Sequence, residues 1–180
     1  MLQGERIFMR LMEEEDVPHK VRWVNDPVVR ATLNFDYPIS DVGTRQWLAR
    51  VTADPSRRDF TVCLRDGSRP IGYAGLIGID WRHSKAELYM GIGETDHWGQ
   101  GLGTEIRRLQ LDYGFGELGL SRLFVFNLAR NEAAIAVNTK LGMTIEGRLR
   151  KDIFSHGQHE DRLLLAILRD DYLARAETDV

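Results

Sequence analysis

The sequence predicts an α+β fold in which one mixed, mainly antiparallel sheet is flanked by helices. Three observations carry that prediction. The order read from hydrophobic periodicity is strand, two helices, three strands, helix, strand, helix, two strands, which lacks the strict alternation of a doubly wound nucleotide fold. A glycine-rich run, His97-Trp98-Gly99-Gln100-Gly101-Leu102-Gly103-Thr104-Glu105, stands between the fourth strand and the helix after it. The chain closes on two long strand patterns with a turn signal between them, which favours antiparallel pairing.

Taken in order, Arg6 to Met12 reads as a strand, with Ile7, Met9 and Leu11 on one face. The acidic run Glu13 to Asp16 suits the start of a helix from about Asp16 to Trp23, because carboxylates are favoured at the positive end of the helix dipole. It is also a candidate acidic mouth for a cationic amine. Val17, Val21 and Val24 fall at helical spacing, and Asn25-Asp26-Pro27 ends the pattern. Leu33 to Ile39 reads as a loop carrying Phe35 and Tyr37. Ser40 is placed to cap a second helix with Thr44, Trp47, Leu48 and Val51 on its inner face.

Asp59 to Leu64 and Ile71 to Ile79 then form a hairpin across Asp66-Gly67, and Ala86 to Ile92 leads into the glycine run. Leu102, Ile106, Leu109 and Tyr113 mark the helix behind it. After Gly119 come a strand, Leu123 to Asn127, and a helix capped by Asn131 with Ala134, Val137 and Leu141 inward. Thr144 to Phe154 and Glu160 to Ile167 pair around His156-Gly157, and a short polar tail follows. With no repeat, linker or composition break, residues 1–180 read as a single domain.

A net charge of −3 argues against a general nucleic-acid binder, which ordinarily carries a basic face. The single cysteine, Cys63, sits in an apolar strand pattern and excludes an internal disulfide, as suits a reducing compartment. No apolar run is long enough to span a membrane, and the acid-rich start resembles neither a signal nor a transit peptide. These features lead us to expect a cytoplasmic protein that binds neither nucleic acid nor membrane. The histidines and the cysteine show no metal-ligand spacing, so no metal site is expected.

Glycine at every second position of the central run lets successive N–H groups turn toward one point, and the following helix adds free N–H groups and its dipole. That is an anion site suited to a pyrophosphate. The spacing Gly99-x-Gly101-x-Gly103 fits neither a Walker loop, nor the dinucleotide fingerprint, nor a kinase glycine loop. It does resemble the acetyl-CoA pyrophosphate loop of the GNAT N-acetyltransferase superfamily. Asn131-Glu132-Ala133-Ala134-Ile135-Ala136-Val137-Asn138-Thr139-Lys140-Leu141-Gly142-Met143 looks like that superfamily's second cofactor segment. Arg10-Leu11-Met12, Trp23-Val24-Asn25-Asp26-Pro27, Glu146-Gly147-Arg148-Leu149-Arg150 and Gly157-x-x-x-Asp161 resemble the branch that contains ribosomal-protein N-terminal acetyltransferases.

The resemblance implies the GNAT fold and acetyl-CoA as cofactor. Gly91 and Ile92 would pair through their backbone with the pantetheine arm. Trp98, Gly99, Gln100, Gly101, Leu102, Gly103 and Thr104 would hold the pyrophosphate. Asn131 would contact the pantetheine chain, and Asn138 and Lys140 would lie toward the thiol and adenosine ends. Trp98 stands where the family usually has glutamine or arginine, a change that backbone donors tolerate. Asn138 stands where many members carry the tyrosine that protonates the departing thiolate. An amide is no general acid, although it can hydrogen-bond sulfur.

The chemistry implied is acyl transfer to an amine, which must lose a proton before it attacks the thioester. Glu87 is the candidate base: it lies on the strand feeding the loop, eleven residues before Trp98, the offset of the catalytic glutamate in the histone-acetylating branch. A backbone N–H near Ile92 is placed to stabilise the oxyanion. Tyr89 shares the strand face of Glu87 and is a second catalytic candidate. Trp23, Phe35, Tyr37 and Asn127, with Glu87, are expected to form the acceptor pocket. The expected function is therefore N-acetylation of a primary amine: a protein N-terminus, an amino sugar, a polyamine or an antibiotic. The alternative is a catalytically impaired CoA-binding sensor on the same fold. The branch often forms homodimers, so a homodimer is also expected.

Overall fold

Eight strands form one sheet among the described residues of this computed structural model, which are 1–33, 38–155 and 157–178. In chain order they are β1 (Leu2–Gln3), β2 (Ile7–Leu11), β3 (Arg58–Leu64), β4 (Pro70–Asp80), β5 (Lys85–Ile92), β6 (Arg122–Leu128), β7 (Thr144–Ser155) and β8 (Gln158–Leu168). They lie in the order β1-β2-β3-β4-β5-β6-β8-β7, and all neighbours are antiparallel except β5 and β6. The mixed, mainly antiparallel sheet follows the expectation from element order.

The helices are α1 (Val17–Asn25), α2 (Pro27–Arg30), α3 (Asp41–Thr52), α4 (Leu102–Asp112), α5 (Glu132–Lys140) and α6 (Arg169–Thr178). Ser40 caps α3 through a bond from the Gly43 N–H at 3.1 Å, and Asn131 caps α5 through the Ala134 N–H at 3.1 Å, both as the sequence predicts. Three elements differ from the prediction: the two-residue strand β1, which precedes the expected first strand, and helices α2 and α6. Asp26-Pro27 ends α1 but also starts α2. The extended Asp26 accepts the N–H groups of Val28 and Val29 at 2.8 and 3.2 Å, and proline is suited to a first helical position. The expected polar tail is instead α6. Tyr172 anchors it, packing on Phe115 with ring centroids 5.4 Å apart and donating to Asp112 Oδ1 at 2.7 Å.

Two apolar clusters cover the sheet. The larger joins Ala86 and Leu88 of β5 and Leu123 and Val125 of β6 to Leu102, Ile106 and Leu111 of α4. The smaller joins Tyr73 of β4 to Met12, Val17, Trp23, Val24 and Leu48 around α1 and α3. Because strand side chains alternate, Leu88 and Met90 face α4 while Glu87 and Tyr89 face the α1 side. Within the described residues no helix is long and apolar enough to cross a membrane.

The acidic run is absorbed by folding. Arg10 donates to both oxygens of buried Asp16 at 2.6 and 2.7 Å, and the Glu13 N–H donates to Asp16 at 2.9 Å. Burial raises the Asp16 pKa, but these hydrogen bonds outweigh it and hold the carboxyl below its ordinary range. The run is a helix-start device and does not reach the cleft described next, so it is not the acidic mouth considered above.

Candidate active site

The only parallel junction among the described strands is a short one. β5 and β6 pair at Lys85–Arg122, Ala86–Leu123 and Glu87–Phe124, and no further pair joins them. Beyond Glu87 the strands separate and open a cleft of about 530 Å³, floored by Leu88 to Ile92 on one side and Val125 to Leu128 on the other. The glycine loop closes one end. Trp98 ties it to the strand, donating from Nε1 to the Ile92 carbonyl at 2.9 Å. Arg6 ties it to β2, donating to the Gln100 carbonyl at 2.8 Å and to Glu105 at 3.0 Å.

Gly99 and Gly101 adopt φ of +73° and +80°, a left-handed conformation that glycine enters without a Cβ penalty. Among the described residues, the N–H groups of Gly99 to Gly103 meet no acceptor, and Gly101 leaves the start of α4 without a side-chain cap. A Cβ built at Gly99 would meet nothing within 4 Å, so there is open space beside that residue of the loop. Five adjacent free donors at a helix N-terminus fit a pyrophosphate.

On the α1 side the cleft is made of side chains: Glu87, Tyr73 and Tyr89, with Val29, Thr32 and Leu33 above them. Burial raises the Glu87 pKa above its ordinary value, with Arg162 opposing the shift, so the carboxylate is a stronger base than an exposed one. Tyr89 is different. Its hydroxyl donates to Asp59, which Arg57 also holds at 3.0 Å, and burial together with Asp59 drives the phenol pKa well above its ordinary value. Its proton is committed to Asp59, so Tyr89 acts as a strut of this wall and offers no acid to the cleft.

The amide expected near the thiol is placed one step further back. Asn138 is fully buried and does not line the cleft; its Nδ2 donates to Asn127 Oδ1 at 2.7 Å, and its own Oδ1 has no partner among the described residues. Asn127 lines the cleft and leaves its own Nδ2 available, so Asn138 reaches the site through Asn127.

The other expected residues divide cleanly. Gly91, Ile92, Trp98, Gly99, Gly101, Leu102, Gly103, Thr104 and Asn131 line the cleft together with Glu87 and Asn127. Trp23 does not: it is 1% exposed, donates to Glu94 at 2.8 Å, and lies so close to Gly93 that a Cβ there would fall 1.9 Å from it. It is a core residue. The Gln100 side chain turns away to the Asp96 carbonyl at 2.7 Å, and Lys140 is exposed at the end of α5, outside the cleft lining. Phe35 and Tyr37 lie outside the described residues, as does His156.

Three titratable lining residues are not among the site residues expected from sequence: Tyr73, His97 and Arg107. The Tyr73 hydroxyl and His97 Nε2 are buried without hydrogen-bond partners among the described residues, and His97 Nε2 lies 3.9 Å from Asp96 Oδ2. Arg107 is a buried arginine on α4. In sequence, His97 is one polar residue at the start of the glycine run, and the other two are hidden among apolar positions.

A cleft opened by splayed strands, with a pyrophosphate cradle at one end and a half-buried carboxylate at the other, defines an acyl-CoA-dependent transferase. The family model described as an acetyltransferase (GNAT) domain matches residues 6–144. Spermidine N(1)-acetyltransferase of Escherichia coli (strain K12) is 36% identical over 125 residues, 69% of this chain; the matched part spans 66% of that enzyme's length. The probable N-acetyltransferase YjcK of Bacillus subtilis (strain 168) is 41% identical over 180 residues, 95% of this chain and 98% of that protein. A crystal structure of spermidine N-acetyltransferase from Vibrio cholerae in complex with CoA and spermine superposes with a TM-score of 0.88 at 24% identity, covering 93% of this chain and 98% of that one. The protein belongs to the GNAT acetyltransferases, whose acyl donor is acetyl-CoA.

Proposed function

We propose that this protein moves the acetyl group of acetyl-CoA directly onto a primary amine of a small molecule, with Glu87 taking the ammonium proton. The observation that carries the reading is the position of Glu87. It is the last residue of β5 paired to β6, it lines the cleft on the α1 side, and its burial raises its proton affinity. The bound cofactor supplies an activated thioester. The free amides of Gly99 to Gly103 hold its pyrophosphate, the unpaired edge of β5 orients the pantetheine arm, and Asn127 lies on the α5 side where a thiolate would depart. The α1 wall excludes water around the amine, and Glu87 receives its proton before attack. Among the described residues lining the cleft Glu87 is the one carboxylate. The spermidine acetyltransferases among its relatives make polyamines the first acceptors to try.

The test is acetyl-CoA with a panel of amines: spermidine, an amino sugar and a peptide with a free N-terminus, followed by thiol release and product mass. The expected result is one acetylated small amine formed in step with CoA. Acetylation of the peptide alone would overturn the acceptor class. Tight CoA binding with no thiol release from any amine would show the cofactor sensor instead.

A further inference from the structure

Arg107 is 2% exposed, lines the cleft, and has no carboxylate partner among the described residues. Its Nη1 donates to Gln110 Oε1 at 2.9 Å, while its Nε is buried without an acceptor. A buried guanidinium left to one neutral oxygen is costly, because the charge has lost its water without gaining a counter-charge. The side chain is nonetheless firmly held. Gln110 is itself fully buried and donates to the carbonyls of Gly75 and Tyr89 at 2.8 and 2.9 Å, which anchors the pair to the middle of β4 and β5. Burial pushes the Arg107 pKa down to about 9, which leaves it a cation at neutral pH.

Its place along the cleft narrows what it could bind. The cradle for the pyrophosphate is tied to β5 at Ile92, and the strands converge at Glu87. Gln110, to which Arg107 donates, is hydrogen-bonded at the level of Tyr89, between the loop-tied Ile92 and the convergent Glu87. Leu88 and Val125, the first residues past the last pair, line the cleft with it and face the same side as α4. A phosphate already has the free amides of the loop. What the convergent end receives is the acyl group.

We propose that Arg107 forms a carboxylate-binding subsite at the acyl end of the cleft, so that the protein also accepts dicarboxylic acyl-CoA donors, of which succinyl-CoA is the probe. This rests on the acyl-transfer reading above. In the reaction the acyl carbon breaks its bond to sulfur and forms one to the amine nitrogen. The products are the amide, free CoA thiol and one released proton; the distal carboxylate is unchanged and stays paired with the guanidinium.

The experiment measures, by calorimetry on the whole protein, the affinities of acetyl-CoA, succinyl-CoA and the neutral amide analogue succinamoyl-CoA, then follows transfer from each. The wild type is expected to bind succinyl-CoA about tenfold or more tightly than the amide analogue, since a hydrogen-bonded charge pair exceeds a neutral contact by that much. Arg107→Met should erase the preference and leave acetyl-CoA binding in place, and Arg107→Lys should retain part of it. Equal binding of the two long donors by the wild type would overturn the subsite, and this arm stands even if Arg107→Met fails to fold. So would an Arg107→Met variant that weakens all three donors alike, because Arg107 would then serve the CoA portion they share. Failure of acetyl-CoA itself to bind the wild type would instead bring down the acyl-transfer reading beneath it.

Discussion

The two walls of the cleft are built from different material. The glycine-loop wall works through backbone: the amides of Gly99 to Gly103, the unpaired edge of β5, and a helix start left without a cap. The α1 wall works through side chains, with Glu87 as its carboxylate and Tyr73 and Tyr89 as its frame. A backbone site depends on chain conformation and tolerates changes such as Trp98 at the first loop position. A side-chain site depends on each residue's neighbours: Tyr89 shares a strand face with Glu87, yet its hydrogen bond to Asp59 removes it from proton transfer. The donor half is thus set by conformation and the acceptor half by environment.

Substitutions break the two halves in distinguishable ways. The largest effect is expected from Glu87→Gln, which keeps the shape of the α1 wall and removes its base. Turnover should fall about a hundredfold or more, the usual range for a general base, while CoA affinity measured by calorimetry stays unchanged. Gly101→Val attacks the other half. A β-branched residue at φ +80° costs roughly 1–2 kcal/mol of strain and works against the loop conformation that gathers the amides, so CoA affinity should fall about tenfold or more and the melting temperature should drop with it.

A smaller effect tests the junction of the halves. Asn127→Ala and Asn138→Ala should each slow turnover about tenfold with little change in the KM for acetyl-CoA, and the double variant should be no slower than either alone, because one acts through the other. Additive losses would separate the two residues.

The least effect on activity is expected behind the α1 wall. Lys20 is buried over the Trp47 ring at 3.7 Å, and burial lowers its pKa from 10.5 to about 8, with Asp59 opposing and Arg57 reinforcing the shift. Between these values the unfolded chain binds the proton that the folded protein has released, so stability contributed by this group rises as pH increases from about 8 to 10.5. Denaturant unfolding at several pH values should show that rise, and Lys20→Met should remove it.

The same contrast decides what was legible in the sequence. Conformational sites leave marks in residue type: the glycines mark the loop, Ser40 and Asn131 mark helix starts, and alternation marks the strands. The position of Glu87 before the loop singles it out in sequence, and the structure places it in the cleft lining. Environmental sites leave fewer marks. Trp23 looks like an acceptor-pocket aromatic in sequence, and only packing against Gly93 and Tyr73 reveals a core residue. Arg107 and Gln110 break the apolar pattern of α4, and periodicity assigns such residues to solvent, whereas both are buried against the sheet. Helix α6 was hidden because Tyr172 is the aromatic it packs against the core, and one aromatic residue makes no period.

The account turns on Glu87 as the proton acceptor for the attacking amine, and the pH dependence of kcat/KM tests it most directly. With the amine acceptor held constant, the wild-type profile should rise through a Glu87 pKa lying above the ordinary carboxylate value, because the base works only once ionised. In Glu87→Gln that limb should vanish, leaving only the titration of the amine itself. The same rise with the same midpoint in both proteins would contradict the account and place the base elsewhere.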